Sequence, residues 1–410
     1  MKSVETNADM QAGGWQGLVL VLTSVFPVMG MVLISPNLPA LNAQFSNVDG
    51  GAYLVSIALT VPALCIAVLS PFAGLLVDRT ARVRLLRLAL LVYGVVGVAP
   101  MFLDDIRAII VVRACLGVTE AVIMTTVFVL IGDYFRGHHR GRWLAYTGAF
   151  SALGATLLYA VGGALSEYGW RVPFAAYAAS ILLLPLTWLL REPVRASRAS
   201  VPSNGKHRPA APRGGQTVLP FAGICAMTVG CAVAFYIVPL QMGVFLHERS
   251  AASGALIGTA ISVASLGNPL GAFLYRFLES RAPFVLIGGC LLVSGVGLAG
   301  MTAMAALPVV LAAAFVNQVG CGLMYPVLSS WAMSLLPAPM RGRGGGVFTS
   351  AFFAGQFLCP LMLISLTRHA GTLSHTFIWM GLAYAAAGVV LILAARLGNR
   401  EVTALTGSQL

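Results

Sequence analysis

A chain of 410 residues, 58% hydrophobic and only 9% charged, cannot cover itself with polar surface, since soluble proteins are about a quarter charged. Its mean hydropathy of +0.88 says the same, so the outer face is expected to meet lipid. The net charge of +12 would suit nucleic acid, but the basic residues gather in short links between apolar runs, which excludes that reading.

In chain order, residues 1–14 are polar and carry no cleavable signal pattern, so they are expected to form a tail. Apolar runs then fall near 15–36, 51–76, 85–102, 107–133, 143–165 and 172–190. After a break they resume near 217–246, 254–275, 283–303, 308–335, 344–366 and 374–396. These predict an all-α membrane protein with 12 transmembrane helices, because backbone facing lipid must satisfy its own hydrogen bonds. With the N-terminus inside, 20 of the 25 Lys and Arg lie at the cytoplasmic side, the exceptions being Arg107, Arg113, Arg171, Arg249 and Arg368. The positive-inside rule therefore puts both termini in the cytoplasm and predicts a multi-pass protein of the inner (cytoplasmic) membrane.

The break, "REPVRASRASVPSNGKHRPAAPRGGQ" at 191–216, is rich in Pro, Ser, Arg and Gly and reads as a cytoplasmic linker. It divides a bundle at 15–190 from one at 217–396, leaving 397–410 as a second tail. The bundles resemble each other: Pro71 matches Pro269 at an offset of 198, and "RGRWLAYTGAFSALG" matches "RGRGGGVFTSAFFAG" at 201. Two pseudo-symmetric six-helix bundles are an arrangement of alternating-access transporters, with the site near the midplane between repeats.

The fourth run, "VVRACLGVTEAVIM", raises the sharpest question, because a charge at the bilayer centre costs roughly 2.5–3.5 kcal/mol even on lenient scales. Arg113 and Glu120 lie seven residues apart, hence about 10 Å along the axis and nearly on one face. That is too far for a direct salt bridge, so each needs another partner or water. Arg113 can also snorkel toward the outer headgroups. Glu120 is the only acid deep inside any span, and a low-dielectric setting favours its neutral form. In the second bundle, Tyr236, Pro239 and Gln241 fall on the seventh span, Asn317, Gln318 and Tyr325 on the tenth, and Gln356 on the eleventh. Buried amides and phenols can orient a ligand in an apolar pocket, or join helices to one another. Together with Arg113 and Glu120 they are the candidate substrate cavity.

The seven cysteines lie within spans with no C-x-x-C pair, and the six histidines lack ligand spacing, so neither a disulfide framework nor a metal site is expected. "GRGGG" at 342–346 lacks G-K-[ST], and with no nucleotide motif elsewhere neither ATP nor any cofactor is expected.

The loop "GLLVDRTARVR" carries a specific resemblance: Gly74, Asp78, Arg79 and Arg82 match the G-x-L-x-D-R-x-G-R/K signature of the major facilitator superfamily, with Ala81 in place of the last glycine. "RACLG" resembles that family's R-x-x-Q-G motif, with Leu116 for Gln, a motif tied to proton coupling in drug/H⁺ antiporters. In the fifth span, "GATLLYAVGG" keeps Gly162 and Gly163 of the antiporter pattern G-P-x-x-G-G but replaces Gly-Pro with Leu158 and Tyr159. The eleventh span resembles the drug/H⁺-antiporter-like branch.

The resemblance implies a secondary transporter of a small organic solute, not an enzyme. Proton coupling is expected through Glu120 and Arg113, with export favoured and a monomer in the lipid bilayer. Proton-symport uptake of an organic anion, with Arg113 as its counter-ion, is the rival. It also implies a cytoplasmic gate in which Asp78 docks on the start of the eleventh span near Gly344–Val347, and Arg82 pairs with Asp133.

Overall fold

The computed structural model describes residues 14–193, 215–337 and 340–407, with the side chains of 73–76, 78, 215–217 and 398–407 excepted. Every regular element among them is helical, and 12 helices are long and apolar enough to cross a membrane. The spans are Gly14–Gln44, Gly51–Arg79, Arg82–Phe102, Ile106–Tyr134, Gly137–Ser166, Val172–Leu189, Gly215–Ser250, Gly254–Leu278, Pro283–Gly300, Leu307–Ser334, Arg341–Ala370 and Leu373–Gly407. The linker expected at 191–216 lies mostly outside the described residues, as does the tail at 1–14. The last helix continues to Gly407, beyond the expected end at 396.

The first span is longer than its apolar run suggests, and it is broken. Helix stops at Thr23, resumes over Phe26–Val32, tightens to a single turn at Ser35–Asn37, and runs on over Leu38–Gln44. Pro27, Pro36 and Pro39 each withhold an N–H from the turn before, which is what interrupts the ladder. At the second break the N–H of Ile34 turns to Met31, which leaves the carbonyl of Gly30 without its helical donor. Pro62 does the same to the carbonyl of Ala58, four residues earlier in the second span.

Helices pack closely where glycine removes the side chain. Gly288 and Gly295 of the ninth span lie against the backbone at Gly388 and Gly381 of the twelfth, with no room for a Cβ.

The two bundles meet closely on the face opposite the start of the first span, here the distal face. The positions a Cβ would take at Gly162 and Gly163 are filled by the Leu33 carbonyl and by the eighth-span backbone at Gly254 and Gly258. Gly162 thus seats the fifth span on the broken first span within its own bundle, while Gly163 makes the contact between bundles. Ser35 donates to the Pro239 carbonyl and Ser262 to the Thr156 carbonyl, each across the same interface. At the rim, the Glu167 carboxylate accepts from the Ala255 N–H at 2.7 Å, so a residue ending the fifth span caps the eighth. Arg368 lies over the Tyr53 ring at 4.7 Å, tying the eleventh span to the second.

Candidate functional site

A cavity of about 240 Å³ lies between the bundles. The first bundle contributes Pro27, Met31, Pro62, Glu120, Met124 and Tyr159, and the second Phe235, Tyr236, Ser265, Asn268, Phe353 and Gln356. The walls are thus mainly apolar and aromatic, with a few polar groups converging.

Glu120 is 1% exposed, and its Oε1 is buried without a hydrogen-bond partner. Gly30 makes room for it: a Cβ there would overlap the carboxyl group. On one side of this glycine lies the acid; on the other, its carbonyl receives Arg113.

Arg113, 2% exposed, does not line the cavity. Its guanidinium is spread over three carbonyls, of which Gly30 and Ala58 are without a helical donor. Nε donates to Ala58 at 2.5 Å, Nη2 to Gly30 and to Leu59 at 3.2 Å, and Nη1 lies 3.2 Å from the Tyr177 hydroxyl. Tyr177 itself donates to the Gly30 carbonyl at 2.9 Å. The charge is neither snorkelling nor free; it knits the first, second, fourth and sixth spans. It carries no ion pair with Glu120, in keeping with their separation along the helix.

The other residues read from the sequence separate into two groups. Tyr236 and Gln356 line the cavity beside Glu120. Gln241 is buried in the seventh span away from it, and Tyr325 packs edge-on against Phe348 and Phe352. Asn317 and Gln318 lie behind the wall, in a chain of amides that ends at Asn268. Asn268, Ser265, Tyr159 and Gly30 are not among the site residues expected from the sequence. For Asn268 a signal existed: it directly precedes Pro269, the residue that marked the internal repeat.

At the face carrying the termini, Arg82 pairs with Asp133, and the Glu192 carboxylate accepts from the Val83 N–H at 3.1 Å, capping the third span. Arg79 is exposed beside them. The side chain of Asp78 and the surroundings of Gly74 lie outside the described residues. The start of the eleventh span, at Gly346, faces Ser70 and Pro71, about two turns before Asp78. Among the described residues no group of His, Cys, Asp and Glu could hold a metal ion.

Residues 20–360 match the Major Facilitator Superfamily. The chain belongs to that family. It is a multi-pass membrane transporter and not an enzyme. Multidrug resistance protein 2 of Bacillus subtilis (strain 168) is 27% identical over 179 residues, 42% of this chain and 44% of that protein. Multidrug resistance protein 1 of the same organism is 29% identical over 183 residues, 43% and 46% respectively. The chain thus matches less than half the length of each. Among solved structures, a D-xylose–proton symporter superposes with a TM-score of 0.73 at 15% identity, covering 93% of this chain and 96% of that one. A bacterial homologue of the human lysosomal transporter Spinster, inward-facing and occupied, gives 0.66 at 18% identity, covering 93% and 95%. At such identities the likeness shows the fold alone.

Proposed function

We propose that this transporter is proton-coupled and exports a small organic solute, with Glu120 as the group that carries the proton. The observation behind this reading is that Glu120 is, among the described residues, the one acid on the cavity wall and has a buried oxygen with no protein partner. A carboxylate in that position is costly unless it holds a proton or faces a cation, so proton and solute compete for it. Such competition is the physical basis of antiport: the solute displaces the proton on one side, and the proton displaces the solute on the other.

Uptake of an organic anion with Arg113 as counter-ion is the weaker alternative, because the guanidinium donors are already committed to the carbonyls of Ala58, Leu59 and Gly30. Export is supported by the partial likeness to the Bacillus multidrug resistance proteins. The reading takes the chain as a monomer in an inner membrane, and the basic links support termini on its cytoplasmic side. On this orientation the distal contacts close the outside, and the Arg82–Asp133 pair belongs to a cytoplasmic gate with Gly74, Asp78 and Arg79.

The test is solute flux in proteoliposomes under an imposed pH gradient. Glu120→Gln should abolish gradient-driven accumulation while leaving solute exchange. Accumulation by the mutant with the parent's pH dependence would place the proton elsewhere.

A further inference from the structure

Four cavity-lining residues have a buried polar oxygen with no partner in the protein: Glu120 Oε1, Ser265 Oγ, Asn268 Oδ1 and Gln356 Oε1. The two amide oxygens are acceptors only, as is the Glu120 oxygen when the carboxyl is ionised, and for Asn268 that polarity is fixed from behind. The Ser294 carbonyl can only accept, so the Asn317 amide must turn its Nδ2 toward it, at 2.7 Å. Asn317 Oδ1 then faces Gln318 Nε2 at 3.0 Å, and Gln318 Oε1 faces Asn268 Nδ2 at 2.8 Å. Reversing any one amide would set donor against donor or acceptor against acceptor along the chain. Asn268, on the cavity wall, thus commits its N–H₂ to Gln318 and is left with its oxygen as the group without a protein partner. Gln356 commits its Nε2 toward the Met31 sulfur at 2.7 Å, leaving its oxygen likewise.

We propose that the cavity selects solutes whose polar head is rich in N–H donors, a primary or secondary ammonium on an apolar body, with Asn268 as a specificity-determining residue oriented by Gln318 and Asn317. The substrate class deepens the reading of Glu120 as a site open to a cation, and rests on it. Glu120 supplies the charge from one bundle, while Asn268 and Gln356 supply acceptors from the other. A quaternary ammonium satisfies the charge but leaves those buried acceptors unpaired, and unpaired buried acceptors are what make hydrogen-bonding sites discriminate strongly. The aromatic walls, including Tyr236 and Phe353, hold the apolar body.

The experiment is equilibrium binding to the purified full-length protein, by calorimetry at neutral pH. The probes are 2-phenylethylamine and its N-methyl, N,N-dimethyl and N,N,N-trimethyl forms. All four are cations with the same body, and they differ in the number of N–H groups. Affinity should fall stepwise as N–H groups are lost, by about tenfold or more between the ends of the series. Asn268→Leu, which keeps the side-chain volume, should flatten the series. Gln318→Met should flatten it too, since it lies behind the wall and acts only by freeing the Asn268 amide to rotate.

An ungraded series in the parent protein overturns the proposal, and so does a gradient that survives both substitutions, which would mark simple crowding by methyl groups. If none of the amines binds, the donor-head assignment is wrong. Proton coupling then still stands or falls by Glu120→Gln flux. Should one variant not fold, the parent series and the other variant decide.

Discussion

The fourth and tenth spans occupy equivalent places in the two bundles, yet one carries charges and the other amides. Arg113 and Asn317 do comparable work, since each sends a donor from its helix to carbonyls of neighbouring spans. They differ at the cavity. The fourth span ends its polar face in Glu120, which can change protonation, whereas the tenth passes its polarity through Gln318 to Asn268, which cannot. A carboxyl group can link transport to protons because its two states differ by a charge. An amide network can only fix direction, which suits recognition. On the proposed function, the difference between the halves is a division between coupling and selection.

The largest effect should follow removal of the charge that can switch. Glu120→Gln preserves shape and mimics the protonated form, so accumulation should drop to the passive leak and apparent affinity should lose its pH dependence. Measuring solute affinity across pH in parent and mutant checks this. An unchanged pH profile would break the comparison at its centre.

Next should come Arg113. Replacing it by Ala removes a donor from the carbonyls of Ala58, Leu59 and Gly30, of which Gly30 keeps Tyr177, and each buried acceptor left unpaired costs about 1–3 kcal/mol. Arg113→Lys keeps the charge but not the fork, and should recover only part of that. Chemical denaturation in detergent reads the loss. Normal stability with abolished coupling would instead move Arg113 into the transport machinery.

A smaller effect is expected at Gly30. A Cβ there overlaps the Glu120 carboxyl, and overpacking of this kind costs about 1–3 kcal/mol when the neighbour has to shift. Gly30→Ala should lower the melting temperature less than Arg113→Ala does, yet displace the pH midpoint of transport. An unaltered midpoint would show that Glu120 has other room.

Much of this was legible in the sequence, and what was missed shares one physical cause. Composition and the positive links define twelve spans and two bundles, because a bilayer imposes both length and charge. Glu120 stands out because acids in lipid are rare. Arg113 stands out equally, and sequence cannot tell that it serves backbone carbonyls, since that depends on how Pro62 and the break in the first span bring the carbonyls of Ala58 and Gly30 to it. Gln241 and Tyr325 have the right chemistry on helices that turn them elsewhere, and helical phase alone does not say which face meets the other bundle. Asn268 and Gly30 matter through a neighbour's side chain, a relation that exists only after packing.

The smallest expected effect concerns the faces of the molecule rather than its halves. On the distal face Glu167 accepts from the Ala255 N–H and from Ser253, and the Ala255 bond is the larger reason its carboxyl is held below the usual carboxylate range. A group with a lowered pKa stabilises the contact above its free value and loses it as pH falls through the lowered one. The contact should therefore be intact throughout the neutral range and weaken only in strong acid. Glu167→Gln keeps an acceptor oxygen but removes the charge that suits a helix N-terminus. Hydrogen exchange across residues 254–262 should then quicken modestly at neutral pH, with residues 341–347 on the other face unchanged. In the parent protein the same quickening should appear only on strong acidification. Equal acceleration at both faces would mean that Glu167 stabilises the bundles generally. No acceleration at either would mean that Gly163, with Ser35 and Ser262, holds the distal face without it.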